Sequence, residues 1–132
     1  MYHALDMDAI KDKVMRGQSA PAGIITAPGI NGHTPERDQR LPYDPELSKK
    51  LLVEAGYPDG FELTLDCPND RYINDEATCV AAISMFAKIG VNVNLDAKTK
   101  SQHFSEVKEG DANGMTSDMS MLGWGVPTFD SH

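Results

Sequence analysis

Phe61-Glu62-Leu63-Thr64-Leu65-Asp66 and Val91-Asn92-Val93-Asn94-Leu95-Asp96 carry the same alternation of apolar and polar residues. A period of two buries one face of a strand and leaves the other polar, so both segments are expected to be β-strands. Between them, Cys67-Pro68-Asn69-Asp70-Arg71 is a polar turn, and Cys79, Ala82, Ile83, Phe86 and Ile89 then recur at helical spacing. Asn74 is placed to cap that helix, Asp75 and Glu76 suit its first turn, and Gly90 stops it. A strand, crossover helix and strand of this length form a right-handed parallel unit whose ligand crevice lies beyond the carboxyl ends of the strands. Pro68 to Tyr72 therefore falls on the candidate binding edge.

On the amino-terminal side, Asp44-Pro45-Glu46 opens a helix with a capping carboxylate, a proline at the first helical position and an acid near the positive end of the dipole. Leu47, Leu51, Leu52 and Ala55 give it an apolar face, Gly56 ends it, and Pro58-Asp59-Gly60 turns the chain into the first strand. Residues 18–43 show no period and are broken by Pro21, Gly23, Pro28, Gly29, Gly32, Pro35 and Pro42, which makes them a long loop. Before it, Asp6 caps a helix with Met7, Ile10 and Val14 on one face, and Gly17 can end it. After Leu95, Ser101 caps a short helix with Phe104 and Val107 turned inward, and Met119, Met121 and Leu122 suggest a third strand.

The expected architecture is a single α/β domain of three layers. A small, mainly parallel sheet (strands near 61–66, 91–96 and 118–122) is flanked by helices near 6–16, 45–55, 74–89 and 101–109. Strands of a parallel sheet covered on both faces should be almost continuously apolar, and these alternate. One face is therefore partly wet, or is covered by protein outside these residues.

A chain of 132 residues can bury a sizeable core without metal or many disulfides. Its formal charge of −8, with twelve scattered Lys and Arg, argues against a nucleic-acid surface. No apolar run approaches the roughly 20 residues of a membrane span, and the first residues lack a signal-peptide layout, so a soluble chain, or a mature or excised piece of one, is expected. His3, His33, His103 and His132 lack metal-ligand spacing, and there is neither a P-loop nor a GxGxxG fingerprint, so no cofactor is called for. Cys67 and Cys79 are left open: paired, they point to an oxidising compartment, and free, they are small core residues.

Two constellations carry binding chemistry. In Asn69-Asp70-Arg71-Tyr72, Arg71 can hold a carboxylate through two parallel N–H bonds, with Asp70 orienting the guanidinium and Tyr72 forming an apolar wall. In Gly123-Trp124-Gly125, the glycines admit a ligand close to the backbone, and the only Trp offers a flat face with one N–H donor. Asp130, six residues on, is a candidate for a ligand amine. The bland alternatives are a solvated turn with an incidental ion pair, a core tryptophan and an exposed terminal acid. Two rival classes stand beside a binding module. One is a small cytosolic α/β enzyme with Cys67 as nucleophile, and the other is a stand-alone regulatory domain whose gene would end near His132.

Tyr43-Asp44-Pro45-Glu46 and Leu51-Leu52-Val53-Glu54-Ala55-Gly56-Tyr57-Pro58-Asp59-Gly60-Phe61 resemble the signature helix and turn of ABC-transporter solute-binding proteins, family 5, the dipeptide/oligopeptide/nickel class. Ala4-Leu5-Asp6-Met7-Asp8-Ala9-Ile10, the Asn69 to Asp75 turn, Lys88-Ile89-Gly90-Val91 and Leu122-Gly123-Trp124-Gly125 follow in that family's order. The resemblance implies a lobe like that of type II periplasmic binding proteins, the second of two lobes that close on a peptide or similar small solute. It further implies a missing first lobe, ABC permease subunits as partners, and a periplasmic or extracellular location. It places Arg71 at the solute carboxylate and Gly123 and Trp124 in the cleft, and it favours a Cys67–Cys79 disulfide. The amine-binding carboxylate of peptide-binding members falls about three residues after the Trp, where this chain has Pro127, which leaves Asp130 as the substitute.

Overall fold

A computed structural model describes residues 1–109 and 117–125. A 3-10 turn (Tyr2–Ala4) leads into α1 (Met7–Ala9), followed by α2 (Pro45–Glu54), β1 (Phe61–Pro68), α3 (Asp75–Ala87), β2 (Val91–Lys98), α4 (Lys100–Glu109) and β3 (Met119–Ser120). The strands form one parallel sheet in the order β2-β1-β3. The fold class is α/β with a small parallel sheet, as the strand, helix and strand pattern predicts.

The register of β1 and β2 runs from Phe61 opposite Val91 to Pro68 opposite Lys98, so the apolar residues of both strands share a face. A glycine immediately precedes each of these strands, and a Cβ on Gly60 would collide with the Gly90 carbonyl. Such backbone approach excludes any side chain there, and both residues also adopt positive φ. α3 covers the apolar face: Phe86, Ile89 and Val91 are buried with Leu52 and Ala4, while Leu65, Cys67 and Cys79 form an adjoining cluster.

The opposite face resolves the alternation. Glu62, Asn92 and Asn94 are exposed at its amino end, whereas Asp66 and Pro68 at the carboxyl end are buried. α4 covers that end through a polar contact, with His103 Nδ1 2.9 Å from Asp66 Oδ1. Lys98 Nζ lies 3.7 Å from Asp66, 2.7 Å from Asp96 and 2.5 Å from Glu106. Burial opposes the charge on Lys98, but its bonds to Asp96 and Glu106 and the neighbouring Asp66 outweigh that cost and raise its pKa. The sequence reading expected Phe104 and Val107 to turn inward on α4; both are half-buried, and His103 is the fully buried residue.

Three further expectations are corrected. The helix over 6–16 is α-helical only at Met7–Ala9, with Asp6 accepting from the Ala9 N–H, and then widens to a π-turn over Ile10–Val14. On α2 the buried stripe is Ser48 and Leu52, while Leu51 and Ala55 are exposed, because positions 48 and 52 share the face that meets the core. β3 is two residues long, shorter than the 118–122 expected. Its hydrogen bonds nevertheless extend from the Asp118 N–H on Thr64 O to the Met121 N–H on Asp66 O. The capping of α2 is as expected, with the Asp44 carboxylate accepting from the Leu47 N–H at 2.8 Å and Pro45 opening the helix. Residues 18–44 contain no helix or strand; Asp38 draws that segment together by accepting from the Gly23 N–H and pairing with His33.

Phe86→Ala removes a buried ring from the centre of the core and is expected to lower the unfolding free energy by about 3–5 kcal/mol. Val80→Ala, on the exposed side of the same helix, should cost about 0.5 kcal/mol or less. Urea titration of the two variants checks the contrast.

Candidate functional site

The turn between β1 and α3 is held from several sides. The Asn69 N–H donates to Lys98 O at the end of β2. The Lys100 N–H, at the start of α4, donates to Asp70 Oδ1. The Arg71 and Tyr72 N–H groups both donate to Asp75 Oδ2, at 2.9 and 3.0 Å, and the Glu76 N–H donates to Asp75 Oδ1. Asp75 is only 4% exposed. Burial pushes its pKa upward, yet the N–H groups of Tyr72, Arg71 and Glu76 hold it below the ordinary aspartate value.

On this frame the two sequence constellations meet. The Gly123 N–H donates to Tyr72 Oη at 2.9 Å, and the Arg71 guanidinium carbon lies 5.2 Å from the Tyr72 ring centroid. A Cβ at Gly123 would sit 2.5 Å from Tyr72 Cε1, so a larger residue there would push the ring aside. Trp124 follows directly and is 70% exposed, near Leu122 at 52%; Ile73, beside Tyr72, is 80% exposed. The rim therefore presents a guanidinium, a phenol and exposed apolar side chains. That surface can take a solute with a carboxylate and an apolar body.

Asp70 Oδ1 accepts from the amide that opens α4, a role the sequence pattern did not assign to it. Asn74 does not cap α3 with its side chain: its backbone is left-handed, and its amide donates to Val14 O on the π-turn. The carboxylate of Asp75, the first residue of the helix, takes the bonds instead. Asp130 lies outside the described residues. Sequence reasoning missed the role of Asp75, whose one visible signal was its place in the first turn of α3.

Cys67 and Cys79 are joined in a disulfide that closes a loop containing Asn69 to Tyr72. In chain-entropy terms a loop of this size is worth about 3 kcal/mol. The reading of Cys67 as a nucleophile is overturned, since its sulfur is bonded and buried. Among the described residues no group of three or more His, Cys, Asp or Glu can hold a metal, and no helix is long and apolar enough to cross a membrane.

Residues 1–132 match the family described as bacterial extracellular solute-binding proteins, family 5 Middle. The chain belongs to that family. It is similar to heme-binding protein A of Haemophilus influenzae, at 34% identity over 94% of this chain and 22% of that protein. It is also similar to the glutathione-binding protein GsiB of Salmonella typhimurium, at 29% identity over 99% of this chain and 25% of that protein. Among solved structures it superposes on a dipeptide binding protein from Pseudoalteromonas sp. SM9913 in complex with Met-Leu. The TM-score is 0.85 at 29% identity, over 98% of this chain and 25% of that one. The chain thus spans about a quarter of the length of these relatives.

Asp75 sets a pH dependence. Its folded pKa lies below the unfolded value of about 3.9, so the stability it contributes is complete above roughly pH 4 and is lost as pH falls through the folded value. Asp75→Asn is expected to lower stability at pH 7 by about 2 kcal/mol. It should also lessen the loss of stability as pH falls below about 4, as read by urea unfolding at successively lower pH.

Proposed function

We propose that this chain is the second lobe of an extracytoplasmic receptor that captures a peptide or similar small solute and hands it to an ABC importer. The observation that carries the reading is the meeting of the two turns, with Tyr72 receiving the Gly123 N–H while Arg71 stands over the Tyr72 ring. Arg71 takes a solute carboxylate, Trp124 supplies an apolar face, and the backbone at Gly123 and Gly125 supplies hydrogen bonds. Asn69 and Asp70 shape the turn rather than meet the solute, and Asp130 is the candidate partner for a solute amine. The role is capture without catalysis, with no cofactor.

Family membership and the names of the relatives support this reading, as does their length. A chain spanning a quarter of them holds one wall of a cleft, and the missing first lobe supplies the other. Exposed Ile73, Leu122 and Trp124 fit a wall that is covered on closure. The disulfide fits a periplasmic or extracellular location.

A single wall binds weakly. In calorimetry with Met-Leu, the 132-residue chain is expected to bind no tighter than about 100 μM, and Arg71→Ala in the intact two-lobe receptor should cost about 2 kcal/mol or more. Sub-micromolar binding of Met-Leu by the 132-residue chain alone would contradict the half-site.

A further inference from the structure

Among the described residues, only Arg16 (φ 51°) and Asn74 (φ 56°) are non-glycine residues with a left-handed backbone. They flank a single contact. Asn74 Nδ2 donates to Val14 O at 3.0 Å and lies 3.8 Å from Met15 Sδ. Val14 closes the π-turn, and a helix end leaves carbonyls without intrahelical partners. The Asn74 amide satisfies one of them from another part of the chain. Meanwhile the Asn74 carbonyl accepts both the N–H and the hydroxyl of Thr78, one turn into α3.

Asn74 is also the hinge of the solute-facing turn. Its left-handed backbone reverses the chain between Tyr72 and Asp75, which is what lets the Asp75 carboxylate reach back to the Arg71 and Tyr72 amides. Asparagine tolerates this conformation better than most side chains. Glycine would tolerate it as well but has no amide to offer the π-turn.

We propose that Asn74 is a positioning residue for solute capture: by tying the turn to the carboxyl end of the amino-terminal helical segment, it fixes where Arg71 meets a solute carboxylate. The inference rests on the solute-binding reading above, and it has an arm that is independent of any solute. In the 132-residue chain, Asn74→Asp keeps the size and the left-handed tolerance but replaces the donor. Asn74→Gly keeps the backbone, removes the tie and adds no charge. Both are expected to speed hydrogen exchange at the Arg71 and Tyr72 amides about fivefold or more, leaving the β1–β2 amides of Leu63 and Val93 unchanged.

In the intact receptor both variants should weaken Met-Leu about fivefold while barely affecting Met-Leu amide, which lacks the carboxylate. Unchanged exchange at Arg71 and Tyr72 in both variants would overturn the proposal. Equal loss for Met-Leu and its amide would also overturn it, since Asn74 would then be structural alone. If Arg71→Ala left Met-Leu binding intact, the carboxylate reading would fail and the solute role of Asn74 with it, while the exchange result would still decide whether Asn74 sets the turn.

Discussion

One buried carboxylate organises the rim. Asp75 gathers the N–H groups of Arg71, Tyr72 and Glu76, so the turn that carries the guanidinium and the phenol is folded around a charge on the following helix. Backbone donors around an anion are charge-assisted, and each is stronger than a neutral hydrogen bond. The start of α3 adds the positive end of its dipole at the same point. A turn already ordered loses less conformational freedom on binding any ligand, and preorganisation of this kind favours affinity.

The carboxyl edge of the sheet is built from polar parts in a way that a continuous apolar core would not allow. Asp66 is buried against His103 and near Lys98, which also meets Asp96 and Glu106. Stripping a buried carboxylate such as Asp66 of its partners is costly, so these polar contacts hold α4 against the sheet. α4 then presents its first amide to Asp70, and β2 presents the Lys98 carbonyl to Asn69. The same edge thus holds the helix and the rim. The disulfide ties the turn to α3 on the apolar side.

Much of this was legible in the sequence because the governing signals are local and periodic. The alternation of residues 61–66 and 91–96, the α3 stripe and the Asp44-Pro45 start each follow from one element's own burial or capping. What escaped depends on contacts distant in sequence. Asn74 and Asp75 are both good capping residues, and only the approach of Val14, sixty positions away, decides which side chain turns toward the helix. Ser48 is buried in place of Leu51 because it lies one turn before Leu52, on the face of α2 that meets the core cluster of Ala4 and Phe86. His103 reads as a polar residue on an exposed helix until Asp66 is brought beneath it. Of the candidate site, the union of Arg71, Tyr72 and Gly123 followed from parallel topology, which brings successive strand ends to one edge. The use of Asp70 as an acceptor for α4 did not follow from it.

The proposed capture of a solute calls for a rim held in place before closure, and the bonds that hold this one converge on the charge of Asp75. The most direct measurement is an NMR titration of the Asp75 carboxyl carbon alongside the Arg71 and Tyr72 amides. The expected result is a midpoint below the ordinary aspartate value of about 3.9, shared by the carboxyl and both amides. A midpoint at or above that value, or amides that do not follow the carboxyl, would contradict the central role given to this carboxylate.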